Sequence, residues 1–139
     1  MSWDLGEKHK PNHNSYVLYY HTVFVTDRRE PLIDRELEAF LRSFFGAKCE
    51  EMSVNLLAQG IVCDHVHLVV SLRPSHYIPE VMNYLKGTSA HEANHHHEFK
   101  NSLRWMRGYR MDTVSARNLE AAKNYTEAQY ERHPDRIPE

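Results

Sequence analysis

Two cysteines among 139 residues, Cys49 and Cys63, are too few for a disulfide framework, and neither belongs to a CxxC pair that could bind zinc or carry redox chemistry. They read as reduced thiols in apolar surroundings. No run approaches the roughly 20 consecutive apolar residues of a membrane helix, and residues 1–14 lack the apolar stretch of a signal peptide. A cytoplasmic protein with no membrane partner is therefore expected. There is no internal repeat, and the only biased stretch is the short run of histidines at 95–97. The net charge of −2 leaves no excess of positive charge with which to coat nucleic acid.

What is present is an ordinary globular composition. Hydrophobic residues make up 41% and charged residues 26%, so the chain can bury a core, and its length suits one domain. Charge is unevenly placed. Between 100 and 117 five basic residues (Lys100, Arg104, Arg107, Arg110, Arg117) stand against the single acid Asp112, a local basic patch in an otherwise acidic chain.

Periodicity gives the elements. Residues 1–14 show none and read as a flexible arm; the domain spans 15–133, and 134–139, with two prolines, should fray. The run YVLYYHTVFVT at 16–26 is β-branched and aromatic, and DRREP ends it with turn residues. Asp34 can cap a helix with Leu37, Phe40, Leu41 and Phe44 on one face. Segments 52–62 and 65–72 read as a hairpin. Pro79 suits the first turn of a second helix, with Ile78, Val81, Met82 and Leu85 as its apolar face, running to the histidine cluster. A fourth strand is expected over 105–111, with a short return towards Val114. Ser115 can cap a final helix through about Arg132. The order β-α-β-β-α-β plus a C-terminal helix predicts an α+β, ferredoxin-like split βαβ fold, an antiparallel sheet with helices on one face.

Strand alternation puts His65, His67, Val69 and Ser71 on one side of the third strand and the uniformly apolar Val66, Leu68, Val70 and Leu72 on the other. The apolar side must face the helices, so both imidazoles share the open face, where two neutral rings can hold one divalent ion together with oxygen ligands. Exposed polar residues on a half-buried strand would look the same. On the last helix Tyr125 and Gln129 stand one turn apart on one face. Taken singly, the first reads as a packing aromatic and the second as a solvated amide. In 104–110 arginines alternate with Trp105 and Tyr109, a pattern suited to phosphates and unpaired bases and equally to an edge strand with aromatics inward.

Taken together the chain resembles the HUH single-tyrosine transposases of small bacterial insertion sequences, the TnpA or IS-two-hundred-like type. The resemblance is carried by YHTVFVT with Arg29 after it, by Asp64-His65-Val66-His67-Leu68-Val69-Val70, by Leu85-Lys86-Gly87, by Trp105 and Gly108-Tyr109, and by Tyr125 with Gln129. It implies that His65, His67 and Gln129 ligate Mg²⁺ or Mn²⁺, and that Tyr125 is the nucleophile. It further implies cleavage of single-stranded DNA beside hairpins at element ends, a 5′-phosphotyrosine intermediate, and a homodimer. Contacts to DNA would fall to Arg29, Lys86, Arg104, Trp105, Arg107, Tyr109 and Arg110. The chain departs from the family pattern at Asp27, where lysine is frequent, and at Cys63, where proline commonly precedes Asp-His. A non-catalytic nucleic-acid-binding module and a related HUH replication nickase are the alternative readings.

Overall fold

A computed structural model describes residues 18–139, so the expected arm at 1–14 lies outside the described residues. Four strands form one antiparallel sheet. They are β1 (Tyr19–Val25), β2 (Asn55–Ile61), β3 (His65–Ser71) and β4 (Arg110–Val114), in the order β2-β3-β1-β4. The run of β-branched residues in the middle of the chain puts β3 inside the sheet, between β2 and β1.

Two helices, α1 (Arg35–Glu51) and α2 (Ile78–His96), cover one face. Asp34 caps α1 by accepting from the Leu37 amide at 2.9 Å, and Pro79 sits in the first turn of α2. The core lies between them and the sheet. Leu37, Leu41 and Phe45 from α1 and Val81, Met82 and Leu85 from α2 meet Phe24, Val66, Leu68 and Val70. The expected α+β order and helix faces hold.

Three segments differ from expectation. The fourth strand is β4 at Arg110–Val114, and 105–109 contributes only a lone bridge between Thr26 and Trp105. Gly108, at φ +86°, turns the chain there, and the Lys86 ammonium captures the carbonyls of Met106, at 2.8 Å, and Gly108. A side chain from α2 has claimed carbonyls that a ladder would have used.

The final helix is broken. Ser115 caps a single 3-10 turn at Ala116–Asn118, followed by α3 (Leu119–Glu127) and α4 (Gln129–Arg132), with Ala128 at φ −92°, ψ 23° between them. The reason is local. In a continuous helix the Gln129 amide N–H would donate to the Tyr125 carbonyl, and the Gln129 side-chain amide takes that carbonyl instead, at 2.9 Å.

The tail expected to fray is tied down. Pro134–Arg136 makes a 3-10 turn, the Cys63 amide donates to the Arg136 carbonyl at 2.8 Å, and the Arg136 guanidinium pairs with the buried carboxylate of Asp64. Burying an anion requires a cation beside it, and the tail supplies one.

Candidate active site

His65 and His67 project from the face of β3 opposite the core, as alternation requires. That face is not open, however: the two residues are only 4% and 7% exposed, because α3 and α4 lie over it. The chain therefore carries helices on both faces of the sheet. Gly60 makes the contact possible. It pairs with His67 across β2 and β3, and a Cβ placed there would lie 1.9 Å from the Thr126 carbonyl oxygen and 2.7 Å from Cγ of Gln129. Only a residue without a side chain lets the helix settle on the strand at this point.

This docking sets Tyr125 beside His67 of its own chain and lays Gln129 against Gly60, the cross-strand partner of His67. The His65 and His67 ring centroids are 5.0 Å apart, and the Tyr125 ring lies 5.8 Å from that of His67. Since a carboxylate can only accept, the 2.8 Å bond between His65 Nδ1 and Asp64 Oδ1 puts the proton on Nδ1 and leaves the Nε2 lone pair bare. Gln129 is 1% exposed. Its Nε2 serves the Tyr125 carbonyl, while its Oε1 is buried without a hydrogen-bond partner among the described residues. Such an acceptor costs about 1–3 kcal/mol unless something engages it.

Burial, reinforced by neighbouring His65, His21, His133 and Arg132, pushes the His67 pKa down to about 3. Burial also lowers His65, with Asp64 opposing it. Both rings are thus neutral at pH 7, the state in which imidazole binds a metal. Two neutral imidazoles and an unpartnered amide oxygen fit a divalent ion that prefers nitrogen and oxygen donors.

These shifts imply a pH dependence. A histidine with a lowered folded-state value destabilises the fold by holding fewer protons than the unfolded chain between about pH 6.5 and pH 3. In chelator-treated protein the unfolding free energy should therefore fall as pH drops through that window, His67 alone contributing up to about 1.4 kcal/mol per pH unit. Urea melts from pH 7 to pH 4 measure it, and His67→Phe should flatten the slope.

Several contributors had not been singled out from sequence. His21 on β1 bonds His67, its Nε2 lying 2.8 Å from His67 Nδ1 with the two rings edge to edge and nearly coplanar. Asp64 orients His65. The His133 ring is 5.2 Å from that of His65, and the Arg132 guanidinium lies 4.3 Å from the Tyr125 ring centroid. The signals were weak: His21 merely shares the face of Val23 and Val25, and Asp64 merely precedes His65.

The expected DNA-contacting residues divide. Lys86 is buried and committed to two carbonyls, so it anchors the 105–109 segment instead of reaching solvent. Trp105 turns inward, donating from Nε1 to Ser89 Oγ at 3.0 Å with its ring edge on Phe24, and Tyr109 packs against the core. The aromatics of this segment are structural. Arg104, Arg107 and Arg110 are exposed; Arg104 pairs with Glu30 at 3.3 Å, and Arg110 pairs with Asp112 at 3.1 Å. Arg29 is exposed and lies 3.7 Å from Asp64. Of these, Arg110 reaches the site: with Tyr125, His67, His21 and Asp112 it lines a cleft of about 370 Å³.

Known proteins share this chain's sequence and fold. Residues 14–129 match the family model described as "Transposase IS200 like". The chain is 26% identical over 132 residues to the transposase for insertion sequence element IS200 of Salmonella typhimurium, covering 91% of this chain and 86% of that one. It is 25% identical over 122 residues to the ISDra2 transposase TnpA of Deinococcus radiodurans, covering 84% and 87%. Among solved structures, a putative transposase from Deinococcus radiodurans superposes with a TM-score of 0.65 at 26% identity, over 84% of this chain and 93% of that one. The fold is shared as well with a REP-associated tyrosine transposase solved bound to a REP hairpin, with a TM-score of 0.64 at 15% identity over 89% of this chain and 74% of that one. A match spanning most of the domain, over a sheet and helices of the same arrangement, makes this chain a member of the IS200-like transposase family.

Proposed function

We propose that this transposase cuts and rejoins single-stranded DNA at hairpin-marked element ends through a covalent bond to Tyr125. The observation that carries the reading is the convergence of three groups on one face of the sheet: a neutral histidine pair, an unpartnered buried amide oxygen on Gln129, and a tyrosine four residues before it. His65, His67 and Gln129 would hold Mg²⁺ or Mn²⁺. An ion bound there offsets the charge of a non-bridging phosphate oxygen.

The rest of the chemistry falls to the chain. The Tyr125 phenol gives up its proton, and its oxygen attacks phosphorus. The bond to the 3′ oxygen breaks, that oxygen leaves as a hydroxyl, and the 5′ phosphate stays on Tyr125 as an aryl ester. The ester retains the energy of the broken linkage, so a second 3′-hydroxyl can reverse the step without a nucleotide cofactor. Gln129 joins two tasks, since its amide nitrogen holds the Tyr125 carbonyl while its oxygen is free for the ion. Arg110, lining the same cleft, supplies positive charge for the strand. A homodimer belongs to this reading.

Incubating a labelled hairpin oligonucleotide with Mn²⁺ tests the ligand assignment. Wild type should give a protein–DNA adduct whose formation chelator prevents. His65→Ala combined with His67→Ala should lose both the adduct and the Mn²⁺ binding read by paramagnetic resonance, and undiminished cleavage by this variant would contradict the assignment.

A further inference from the structure

His65 and His67 are braced differently. The Nδ1 of His65 faces the Asp64 carboxylate, an acceptor only, so its tautomer is settled. The Nδ1 of His67 faces another imidazole, Nε2 of His21, at 2.8 Å, and an imidazole nitrogen can donate or accept. One proton lies between these two nitrogens. If it sits on His21, the lone pair of His67 Nδ1 is consumed and its Nε2 carries the remaining hydrogen. If it sits on His67 Nδ1, the Nε2 lone pair is bare and can ligate.

The surroundings of His21 favour the second arrangement. His21 then keeps its own proton on Nδ1, and a negative charge is at hand to stabilise it: Asp112 is the cross-strand partner of His21 on the same face, and both line the cleft beside Tyr125. Arg110 from β4 also faces this ring and is paired with Asp112 at 3.1 Å, which limits how far the carboxylate acts beyond His21. The rings of His21 and His67 lie edge to edge and nearly coplanar, with centroids 5.0 Å apart and planes 9° apart, and the Tyr125 ring lies at a steep angle to that of His21, 5.9 Å away. His21 therefore constrains the rotation of His67 as well as its proton.

We infer that His21 is a positioning residue for the ion site, accepting from His67 Nδ1–H and so presenting the bare Nε2 of His67 as a ligand. Metal-binding histidines are commonly fixed in this way by a partner on the other ring nitrogen, and loss of that partner typically weakens binding about 10–100-fold. Here the partner comes from a different strand and is itself an imidazole. The functional meaning rests on the ligand assignment proposed above, whereas the tautomer is a property of the ion-free protein and can be read separately.

The experiment has two readouts. Long-range proton–nitrogen correlation spectra of histidine-labelled, chelator-treated protein report which nitrogen of His67 is protonated, and paramagnetic resonance titration with Mn²⁺ reports affinity. Wild type should show His67 protonated at Nδ1. His21→Phe should give mixed tautomers and about 10–100-fold weaker Mn²⁺ binding. His21→Gln, whose side-chain oxygen can accept, should restore the wild-type tautomer and most of the affinity. An unchanged His67 tautomer in His21→Phe, or no difference between the Phe and Gln variants, overturns the inference. Wild type that takes up no Mn²⁺ overturns the ligand assignment instead, and the ion-free tautomer then decides the role of His21 by itself.

Discussion

Tyr125→Phe should abolish the covalent protein–DNA adduct, a loss on the order of 10⁴-fold or more, while leaving the fold and oligonucleotide binding unchanged. The size of the effect follows from what is removed: the substitution deletes the attacking atom, and water in the same cleft would have to replace it without being held there. The silence of the other readouts follows from the surroundings of the side chain. Tyr125 is 40% exposed, and its hydroxyl makes no hydrogen bond among the described residues. Its ring, which Phe retains, makes the contacts to His21, His67 and Arg132. Tyr130, five residues on, offers the contrast. Its hydroxyl is bonded to the Glu38 carboxylate, so Tyr130→Phe should reduce stability and leave the adduct in place. Gel shift, thermal melting and adduct formation on the two variants separate these roles.

Gly60→Ala should have the next largest effect, through position. The new methyl would stand 1.9 Å from the Thr126 carbonyl oxygen, a backbone atom that cannot swing aside as a side-chain end could. The helix pair carrying Tyr125 and Gln129 must lift from β2. Overpacking of this kind costs about 1–3 kcal/mol of stability. A displacement of about 1 Å at a reacting group can cost about 10²-fold in rate. The adduct should thus form about 100-fold more slowly, and Mn²⁺ binding should weaken because Gln129 moves with the helix. The core side of the sheet, where Phe24, Leu41 and Phe45 pack, is untouched, so the variant should remain folded. A rate within twofold of wild type would mean that the helix does not need this seat.

Much of this arrangement was legible in the chain, for identifiable reasons. The alternation of 65–72 separates a polar from an apolar face, and that was enough to place His65 and His67 together away from the core. The apolar spacing in 37–44 and 78–85 likewise gave α1 and α2, since each buries a single stripe. What failed to show depended on contacts between distant residues. The fourth strand slipped because Lys86, 20 residues away, takes the Met106 carbonyl, and Gly108 turns the chain before pairing begins. The break after Glu127 depends on one side-chain amide replacing a backbone amide at the Tyr125 carbonyl. No hydrophobic period encodes that exchange.

His21 is the same kind of case. Its role comes from the register of β1 against β3, which sets it diagonally from His67, and register is settled by the sheet as a whole. The family resemblance supplied the proposed ligand set and nucleophile, and the structure adds how their elements meet: a glycine opposite His67 admits the helix. Lys86 and Trp105 show the converse, since basic and aromatic residues in a promising stretch proved to hold the segment in place. Their spacing alone could not distinguish the two roles.

Locating the covalent bond tests the role of Tyr125 most directly. Wild-type protein reacted with a hairpin-bearing single strand in Mn²⁺, then digested with protease and nuclease, should yield one nucleotide-modified peptide, with the phosphate on Tyr125 and joined to the 5′ side of the cut. A nucleotide carried by Tyr130, Tyr109 or a histidine, or one attached through its 3′ phosphate, would contradict it.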